Sequence, residues 1–357
     1  MALNEQDISA ALQQQVALAY ADKTPLNICA GNTKAFYGRT ATGQTLDVSG
    51  HAGIVSYEPT ELVLTARAGT PLSDIESALA AHGQMLAFEP PHWGVSATIG
   101  GTIACNLSGP RRVYTGSARD FLLGCHMING KGELLHFGGE VMKNVAGYDA
   151  ARLMAGAMGT LGVLLDVSLK VLPMPQHKLT LVRSGLSAAD ALTLMNQLAG
   201  QSLPLSASAW IDGNLYLRFS GAASTIASVQ HNQPGEVLEN DEDFWLSIRE
   251  LQHPFFASKQ PLWCIAMPQV AAQPDVAGDW LIEWGGAQRW LRSDAAAEDI
   301  RAQVSVLGGH ATLFHGGDKS GAVFQPLTAG IWQLHQRLKK AFDPAGILNP
   351  SRMYENL

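Results

Sequence analysis

Hydrophobic positions in the first half of the chain switch between the spacing of helices and that of strands. Apolar residues recur at helical spacing over residues 10–20, and residues 25–30 then form a short apolar run typical of a strand. A second strand is predicted over 61–68, followed by a helix that Pro71 opens and that stops near Gly83. The pattern therefore predicts helices and strands in mixed order.

Further along, two β-rich runs over 121–128 and 133–137 flank the tetrapeptide Asn129-Gly130-Lys131-Gly132. An Asn-Gly pair supplies the positive φ angles of a tight hairpin turn, so a hairpin is predicted here. A helix is predicted over 150–158, with Asp149 as its N-cap and Gly159 at its end, and an alternating strand over 161–172 follows.

The second half of the chain differs in composition from the first, because seven of the eight tryptophans of the whole chain follow Pro173. Short strand-like runs alternate there with helical stretches such as 188–198, which favours an α+β domain with an antiparallel sheet covered by helices. The tryptophans fit either a core or an exposed docking surface. The strand-like runs are 179–182, 207–211, 215–219, 263–267 and 280–284.

Length and composition narrow the class of protein. A chain of 357 residues exceeds what one hydrophobic core usually organises, so two domains are expected, and 46 % hydrophobic with 15 % charged residues excludes disordered and coiled-coil chains. The net charge of −7 argues against a nucleic-acid partner. The N-terminus lacks the pattern of a secretory signal, and apolar runs are shorter than the roughly 18 residues of a membrane helix. We therefore expect a cytoplasmic chain that reaches a membrane only through partners.

Four cysteines occur without a C-x-x-C motif, and the eleven histidines show neither H-x-H nor H-x-x-x-H. The spacings of zinc and iron–sulfur ligands are therefore missing, and no metal site is predicted. Buried thiols in a reducing compartment are the expected state of these cysteines.

Three glycine-rich segments carry the candidate chemistry. The first, 30–36, follows a predicted strand and fits either an anion cradle built from main-chain amides or an ordinary turn. The second, 98–109, has a Gly100-Gly101 pair that fits either a bare ligand-facing surface or a glycine-rich helix packed on a sheet. The glycines of the third, 143–163, fit either a backbone that closely approaches a neighbouring group or the cap of a helix.

The order of these segments resembles a known family. Ala-Gly-Asn-Thr-Lys at 30–34, Thr-Ile-Gly-Gly-Thr-Ile-Ala-Cys-Asn-Leu-Ser-Gly at 98–109, Gly-Tyr-Asp at 147–149 and Gly-Thr-Leu-Gly-Val at 159–163 are similar to the vanillyl-alcohol oxidase type of FAD-binding flavoproteins. The closing motif at 342–350 is similar to the same family. Segments 109–112, 138–149 and 284–287 look, more closely, like FAD-binding subunits of bacterial glycolate oxidases. The match covers essentially the whole chain.

The resemblance implies the fold and the domain boundaries. It implies an α+β protein with a two-subdomain FAD-binding domain of the vanillyl-alcohol oxidase type over 1–175. An antiparallel sheet-and-helix cap domain over 176–325 follows. A C-terminal helix and tail over 326–357 would return to the FAD-binding domain.

It also implies the cofactor site. Main-chain amides of one loop would bind the FAD pyrophosphate, a second segment would line the pyrophosphate and the isoalloxazine edge, and a third would meet the adenine side through backbone. Relatives that attach FAD covalently carry a His in or near the first loop, and residues 31–36 have none, so dissociable FAD is expected. The three groups are Gly31, Asn32, Thr33, Lys34 and Ala35; Thr98, Gly100, Gly101 and Asn106; and Gly162 and Val163.

The implied activity is oxidation of glycolate or a similar 2-hydroxy acid to the 2-oxo acid, with electrons passing through FAD to a sister flavoprotein subunit and an iron–sulfur subunit. Such a reaction needs a base for the hydroxyl proton and a cation for the carboxylate. His310 and His315 are the candidate bases, with a structural or solvated role as the alternative. Arg111 is the candidate carboxylate clamp, beside Arg112 and Lys143.

One departure from the family keeps other functions open. Relatives that oxidise 2-hydroxy acids carry Glu-His-Gly-x-Gly late in the cap, whereas residues 308–318 keep a His-Gly and lack the Glu. A non-catalytic or electron-relay interaction subunit is therefore the first alternative. A stand-alone flavin-dependent alcohol or sugar oxidase is the second.

Overall fold

The computed structural model describes residues 6–139 and 150–357. The chain divides into two compact units, here called unit 1 (Met1–Ser108, Ser117–Met174 and Pro326–Leu357) and unit 2 (Gly109–Gly116 and Pro175–Gln325). Compactness alone does not show that a unit folds independently, so the domain boundaries expected at 175 and 325 stay a prediction.

The first part of the chain builds unit 1, apart from helix α4, which belongs to unit 2. In order along the chain its elements are α1 Ser9–Asp22, β1 Leu26–Cys29, β2 Gln44–Asp47, β3 Ile54–Glu58, β4 Val63–Arg67, α2 Leu72–Ala80, β5 Gln84–Met85, α3 Ile99–Cys105, α4 Arg112–Thr115, α5 Ala118–Phe121, β6 Leu122–Ile128, β7 Leu134–Gly138, α6 Ala151–Met154, β8 Val163–Lys170 and β9 Leu172–Pro173.

The next part builds unit 2, and the last helix returns to unit 1. Its elements are β10 His177–Arg183, α7 Ala188–Ala199, β11 Leu205–Ile211, β12 Asn214–Gly221, α8 Ala223–Asn232, β13 Glu236–Val237, α9 Asp241–Arg249, a 3₁₀ turn Pro254–Phe256, β14 Leu262–Ala266, β15 Asp279–Glu283, a 3₁₀ turn Trp284–Gly286, β16 Gln288–Arg292, α10 Ala297–Val306, β17 His310–His315 and α11 Ala329–Phe342.

Unit 1 is organised around a five-stranded antiparallel sheet in the order β3-β4-β8-β6-β7, beside two-stranded pairs β1-β2 and β5-β9. Helix α2 buries Leu72, Ile75 and Leu79, which lie on one helical face, in the same core as Leu64 and Val167 of the sheet. The predicted helix at 10–20, the strand at 25–30 and the strand–helix unit at 61–83 are confirmed.

The hairpin between β6 and β7 is confirmed, but the predicted conformation of its turn is wrong. The positive φ lies at Gly132 (81°), and neither Asn129 nor Gly130 has one. The Asn129 side chain closes the loop instead, because its Oδ1 accepts hydrogen bonds from the amides of Lys131 (2.9 Å) and Glu133 (3.0 Å). A loop closed by an Asn side chain does not need a type I′ turn.

The helix predicted over 150–158 is wrong in length, because α6 spans only four residues, Ala151–Met154. Beyond it, the amides of Gly156 and Met158 donate to the carbonyls of Ile103 and Ala104 at 3.0 and 2.8 Å. These tertiary hydrogen bonds replace the next helical turn. The predicted N-cap, Asp149, lies outside the described residues.

Unit 2 contains an eight-stranded sheet in the order β13-β10-β12-β11-β15-β16-β14-β17, with every pair antiparallel. Helix α7 packs on one part of the sheet through Leu192 and Met195, and α10 packs on another part through Ile300 and Val304. The antiparallel sheet covered by helices is thereby confirmed. Four of the tryptophans after Pro173 are buried, which favours the core interpretation; they are Trp245, Trp263, Trp284 and Trp290.

Candidate functional site

A cavity of about 390 Å³ lies within unit 1. Its walls come from β1 and the loop after it, from α3, from residues 154–164 and from the C-terminal segment around Asn349 and Arg352. The volume lies in the range of small-molecule and cofactor sites. All of these walls belong to one compact unit.

The loop after β1 lines this cavity and carries main-chain amides that have no partner among the described residues. The amides of Gly31, Asn32 and Thr33 make no hydrogen bond within the described part of the chain. Ser96 holds the loop in place, since its hydroxyl donates to the Gly31 carbonyl (2.7 Å) and a Cβ on Gly31 would lie 1.5 Å from the main-chain carbonyl oxygen of Ser96. Asn32 has a φ of 56°, and consecutive amides in such a turn form a concavity that binds anions.

Helix α3 forms the second wall, and its two glycines have different surroundings. A Cβ on Gly100 would lie 2.6 Å from the Ala68 Cβ, so this glycine permits close packing on the sheet. Of the atoms that the structure describes, a Cβ on Gly101 would meet only the Thr98 hydroxyl oxygen, at 3.3 Å, and Gly101 lines the cavity. Tight packing on the sheet is therefore found at Gly100, and a bare surface that faces the cavity is found at Gly101.

The described residues that line the cavity include two cations, Lys34 and Arg352, and no carboxylate. Lys34 is buried; its Nζ lies 3.4 Å from the carbonyl oxygen of His92 and 5.7 Å from the centre of the Trp93 ring. Burial raises the pKa of the Cys105 thiol, which also lines the cavity, and the charges of Lys34 and Arg352 act in the opposite direction. The cavity is suited to an anionic ligand.

One lining residue missing from the sequence prediction, Asn349, fixes the third wall, which residues 154–164 form. The Asn349 side chain accepts a hydrogen bond from the Ile28 amide and donates one to the Met158 carbonyl, each at 2.7 Å. A Cβ on Gly159 would lie 2.6 Å from the Asn349 Nδ2. The motif at 342–350 was part of the family resemblance, but its sequence did not indicate which side chains line the cavity.

The cavity brings most of the predicted cofactor residues together. Two do not line it: the Asn106 Oδ1 accepts a hydrogen bond from the Arg119 amide (3.0 Å), and Val163 is fully buried in the core at the start of β8. The predicted roles of all these residues stay predictions. Those that line the cavity are Gly31, Asn32, Thr33, Lys34, Ala35, Thr98, Gly100, Gly101 and Gly162.

The candidate catalytic residues lie in unit 2. His310 and His315 are exposed at opposite ends of β17, about 16 Å apart at the usual rise of a strand, so both cannot serve one hydroxyl group. Although both side chains keep contact with solvent, the partial burial of each ring lowers the pKa of both imidazoles, and the charges of Lys319 and Arg292 lower the pKa of His315 further. Arg111 is buried, with its Nη2 3.3 Å from the Ser220 hydroxyl. Lys143 lies outside the described residues.

Comparison with known proteins identifies the class. Residues 5–138 match the FAD binding domain family, and residues 282–353 match the C-terminal domain of FAD linked oxidases. An alkyldihydroxyacetonephosphate synthase shares the fold, with a TM-score of 0.65 at 13 % identity over 95 % of this chain and 74 % of the synthase. This chain belongs to the FAD-linked oxidase family, of the vanillyl-alcohol oxidase type.

Within the family, the chain is 49 % identical to the glycolate oxidase subunit GlcE of Escherichia coli over 99 % of its own length and 100 % of that subunit. It is 28 % identical to the glycolate oxidase subunit GlcD of Bacillus subtilis over 53 % of this chain and 42 % of GlcD. A D-lactate dehydrogenase of Anaerostipes hadrus is 32 % identical over 42 % of this chain and 32 % of that enzyme.

These findings confirm the predicted family, the α+β fold, the oxidoreductase class and FAD as the cofactor. The cavity residues fit that cofactor, because unpaired amides and two cations match a pyrophosphate and the open face of Gly101 leaves room for a flat group. Among the described helices, none has the length and apolar character needed to cross a bilayer.

Proposed function

We propose that this chain is the FAD-binding subunit of a multi-subunit glycolate oxidase. The complex would oxidise glycolate or a similar 2-hydroxy acid to the 2-oxo acid. The end-to-end similarity to GlcE carries the proposal. The cavity of unit 1 supports it, since it offers an anion-binding loop and an open glycine face in one place.

In this proposal FAD binds without a covalent bond. The unpaired amides of residues 31–33 and the positive charges of Lys34 and Arg352 hold the pyrophosphate, while Gly101 leaves space for the flat part of the cofactor. The predicted contribution of the Ala35 amide is dropped, because that amide donates to the Asn32 carbonyl at 3.1 Å. Bound FAD supplies the acceptor for the hydride that leaves the alcohol carbon.

The residues of unit 2 handle the proton and the carboxylate. His315 is the proposed base, and its lowered pKa keeps the imidazole neutral near pH 7, the form that accepts the hydroxyl proton. Arg111 is the proposed clamp for the carboxylate. In the conversion of the hydroxy acid to the oxo acid, His315 would take the hydroxyl proton and Arg111 would hold the carboxylate.

The proposed partners are a sister FAD-binding subunit and an iron–sulfur subunit. The four cysteines of this chain lack the spacing of a cluster site, so onward electron transfer needs a partner that carries one. The proposed location is the cytoplasm, with peripheral contact to the inner face of the membrane through the complex.

An electron-relay role is the second candidate, and the missing Glu at residues 308–318 favours it. Anaerobic single-turnover mixing with glycolate separates the two roles when the sister subunit is prepared without its FAD. Reduction of the flavin in this chain supports catalysis at its own site. Reduction that requires the sister's FAD supports the relay. Turnover of the isolated chain with oxygen would instead indicate a stand-alone oxidase.

A further inference from the structure

We infer that Arg352 is a positioning residue for the pyrophosphate group, which it serves by holding the loop at residues 31–39 in its anion-binding shape. This inference rests on the proposed placement of FAD in the cavity of unit 1. The ligand class that it predicts is a nucleoside diphosphate, recognised through its phosphates.

The Arg352 guanidinium donates hydrogen bonds to three carbonyl groups of the loop. Its Nη1 donates to the Arg39 carbonyl at 2.5 Å, and its Nη2 donates to the carbonyls of Ala35 and Lys34 at 3.0 and 3.3 Å. The Arg39 amide donates in turn to the Arg352 carbonyl at 3.0 Å. A planar fork of donors suits several acceptors at once, which the single ammonium group of a lysine does not.

This arrangement determines which backbone groups remain for an anion. Carbonyl oxygens that are bonded to Arg352 are held by a cation, whereas the amides of Gly31, Asn32 and Thr33 at the start of the loop have no partner in the described structure. Amides attract phosphate and carbonyl oxygens repel it. Hydrogen bonding of the carbonyls to Arg352 therefore favours phosphate binding at the amides.

The position of Arg352 is itself fixed by the C-terminal segment. The Arg352 amide donates to the Asn349 carbonyl at 3.2 Å, and the Asn349 side chain bonds to the Ile28 amide and the Met158 carbonyl. The guanidinium is thereby placed relative to β1, the strand that leads into the loop. Such an arrangement holds the loop in place before a ligand arrives, which reduces the entropic cost of binding.

The test compares two ligands on the apoprotein of the full chain. ADP carries a pyrophosphate without a flavin, and riboflavin carries the flavin without phosphate. We expect Arg352→Gln to weaken FAD and ADP binding by the same factor, about 10- to 100-fold, and to leave riboflavin binding unchanged. Arg337→Gln is the matched control, because Arg337 is exposed on α11 of the same unit and does not line the cavity.

Several outcomes would overturn the inference. Unchanged ADP affinity in a folded Arg352→Gln protein contradicts it, as does an equal loss of riboflavin affinity, which would indicate only a structural role. If the Gln variant does not fold, Arg352→Lys makes the same comparison with the charge retained. If Gly101→Trp loses FAD while Arg352→Gln binds ADP normally, the inference about Arg352 is wrong but the proposed placement of FAD stands. An unaltered chain that binds neither FAD nor ADP overturns the proposed function as well.

Discussion

Arg352 in unit 1 and Arg292 in unit 2 have similar partners in different surroundings. Arg292 is almost fully buried and donates to the carbonyls of Phe255, Ser258 and Gln260, with a further contact to Phe256. Arg352 also donates to several carbonyls, but it lines a cavity that is bordered by amides with no partner in the described part of the chain. An arginine that bonds several carbonyls of one loop thus fixes the shape of that loop, and it also serves binding where the loop borders space for a ligand.

The candidate functional groups of the two units also differ in how they converge. Nine of the predicted cofactor residues line one cavity in unit 1. In unit 2, His310 and His315 are separated by the length of β17. Cofactor binding therefore rests on an assembled site, whereas the catalytic role rests on single residues that mutation can test one at a time.

The largest effect is expected from filling the cavity. Gly101→Trp should abolish retention of FAD, because the indole would occupy the space beside Gly101, while the circular-dichroism spectrum stays that of the folded protein. Gly330→Trp is the control, since a Cβ on Gly330 meets no atom within 4 Å and the residue does not line the cavity. Flavin-replete Gly101→Trp protein would refute the placement of FAD.

The next largest effect concerns the proposed base. His315→Ala in the reconstituted assembly should slow flavin reduction by glycolate about 100-fold or more, whereas His310→Ala should change it little. The pKa of His315 lies below its ordinary value of 6.5. The acidic limb of the kcat/KM profile should accordingly lie below pH 6.5 and disappear in the variant. An unchanged single-turnover rate in His315→Ala would rule out this base.

A smaller effect is expected from Asn349→Ala. The substitution leaves the Ile28 amide and the Met158 carbonyl without their partner, which should lower the free energy of unfolding by about 2 kcal/mol. Urea unfolding of the apoprotein measures this change, with Asn356→Ala, at an exposed position, as the control. Equal stability of the two variants would show that the C-terminal segment is not anchored through Asn349.

The smallest effect is a dependence of unit 1 stability on pH. Burial lowers the pKa of His51, whose Nδ1 accepts a hydrogen bond from the Ile8 amide at 3.2 Å and so must be unprotonated. Below pH 6.5 the unfolded chain binds a proton that the folded chain resists, so the free energy of unfolding should fall as the pH falls. In His51→Gln this slope should be shallower. An identical slope in both proteins would exclude His51 as its source.

The sequence was informative wherever the signal was local. Helical spacing identified α1 and α2, and the glycine-rich segments indicated the residues that line two walls of the cavity. Arg352 and Asn349 were not predicted as cavity residues because their partners lie far along the chain; Arg39 is 313 positions from Arg352 and Ile28 is 321 positions from Asn349. The length of α6 was missed for the same reason, since tertiary bonds to Ile103 and Ala104 end it.

We propose above all that this chain itself holds FAD without a covalent bond. The most direct measurement is the visible absorption spectrum of the chain purified alone, repeated on the supernatant after acid precipitation. We expect a flavin spectrum that passes into the supernatant. A colourless protein that fails to take up added FAD, or a colour that stays with the precipitate, would contradict it.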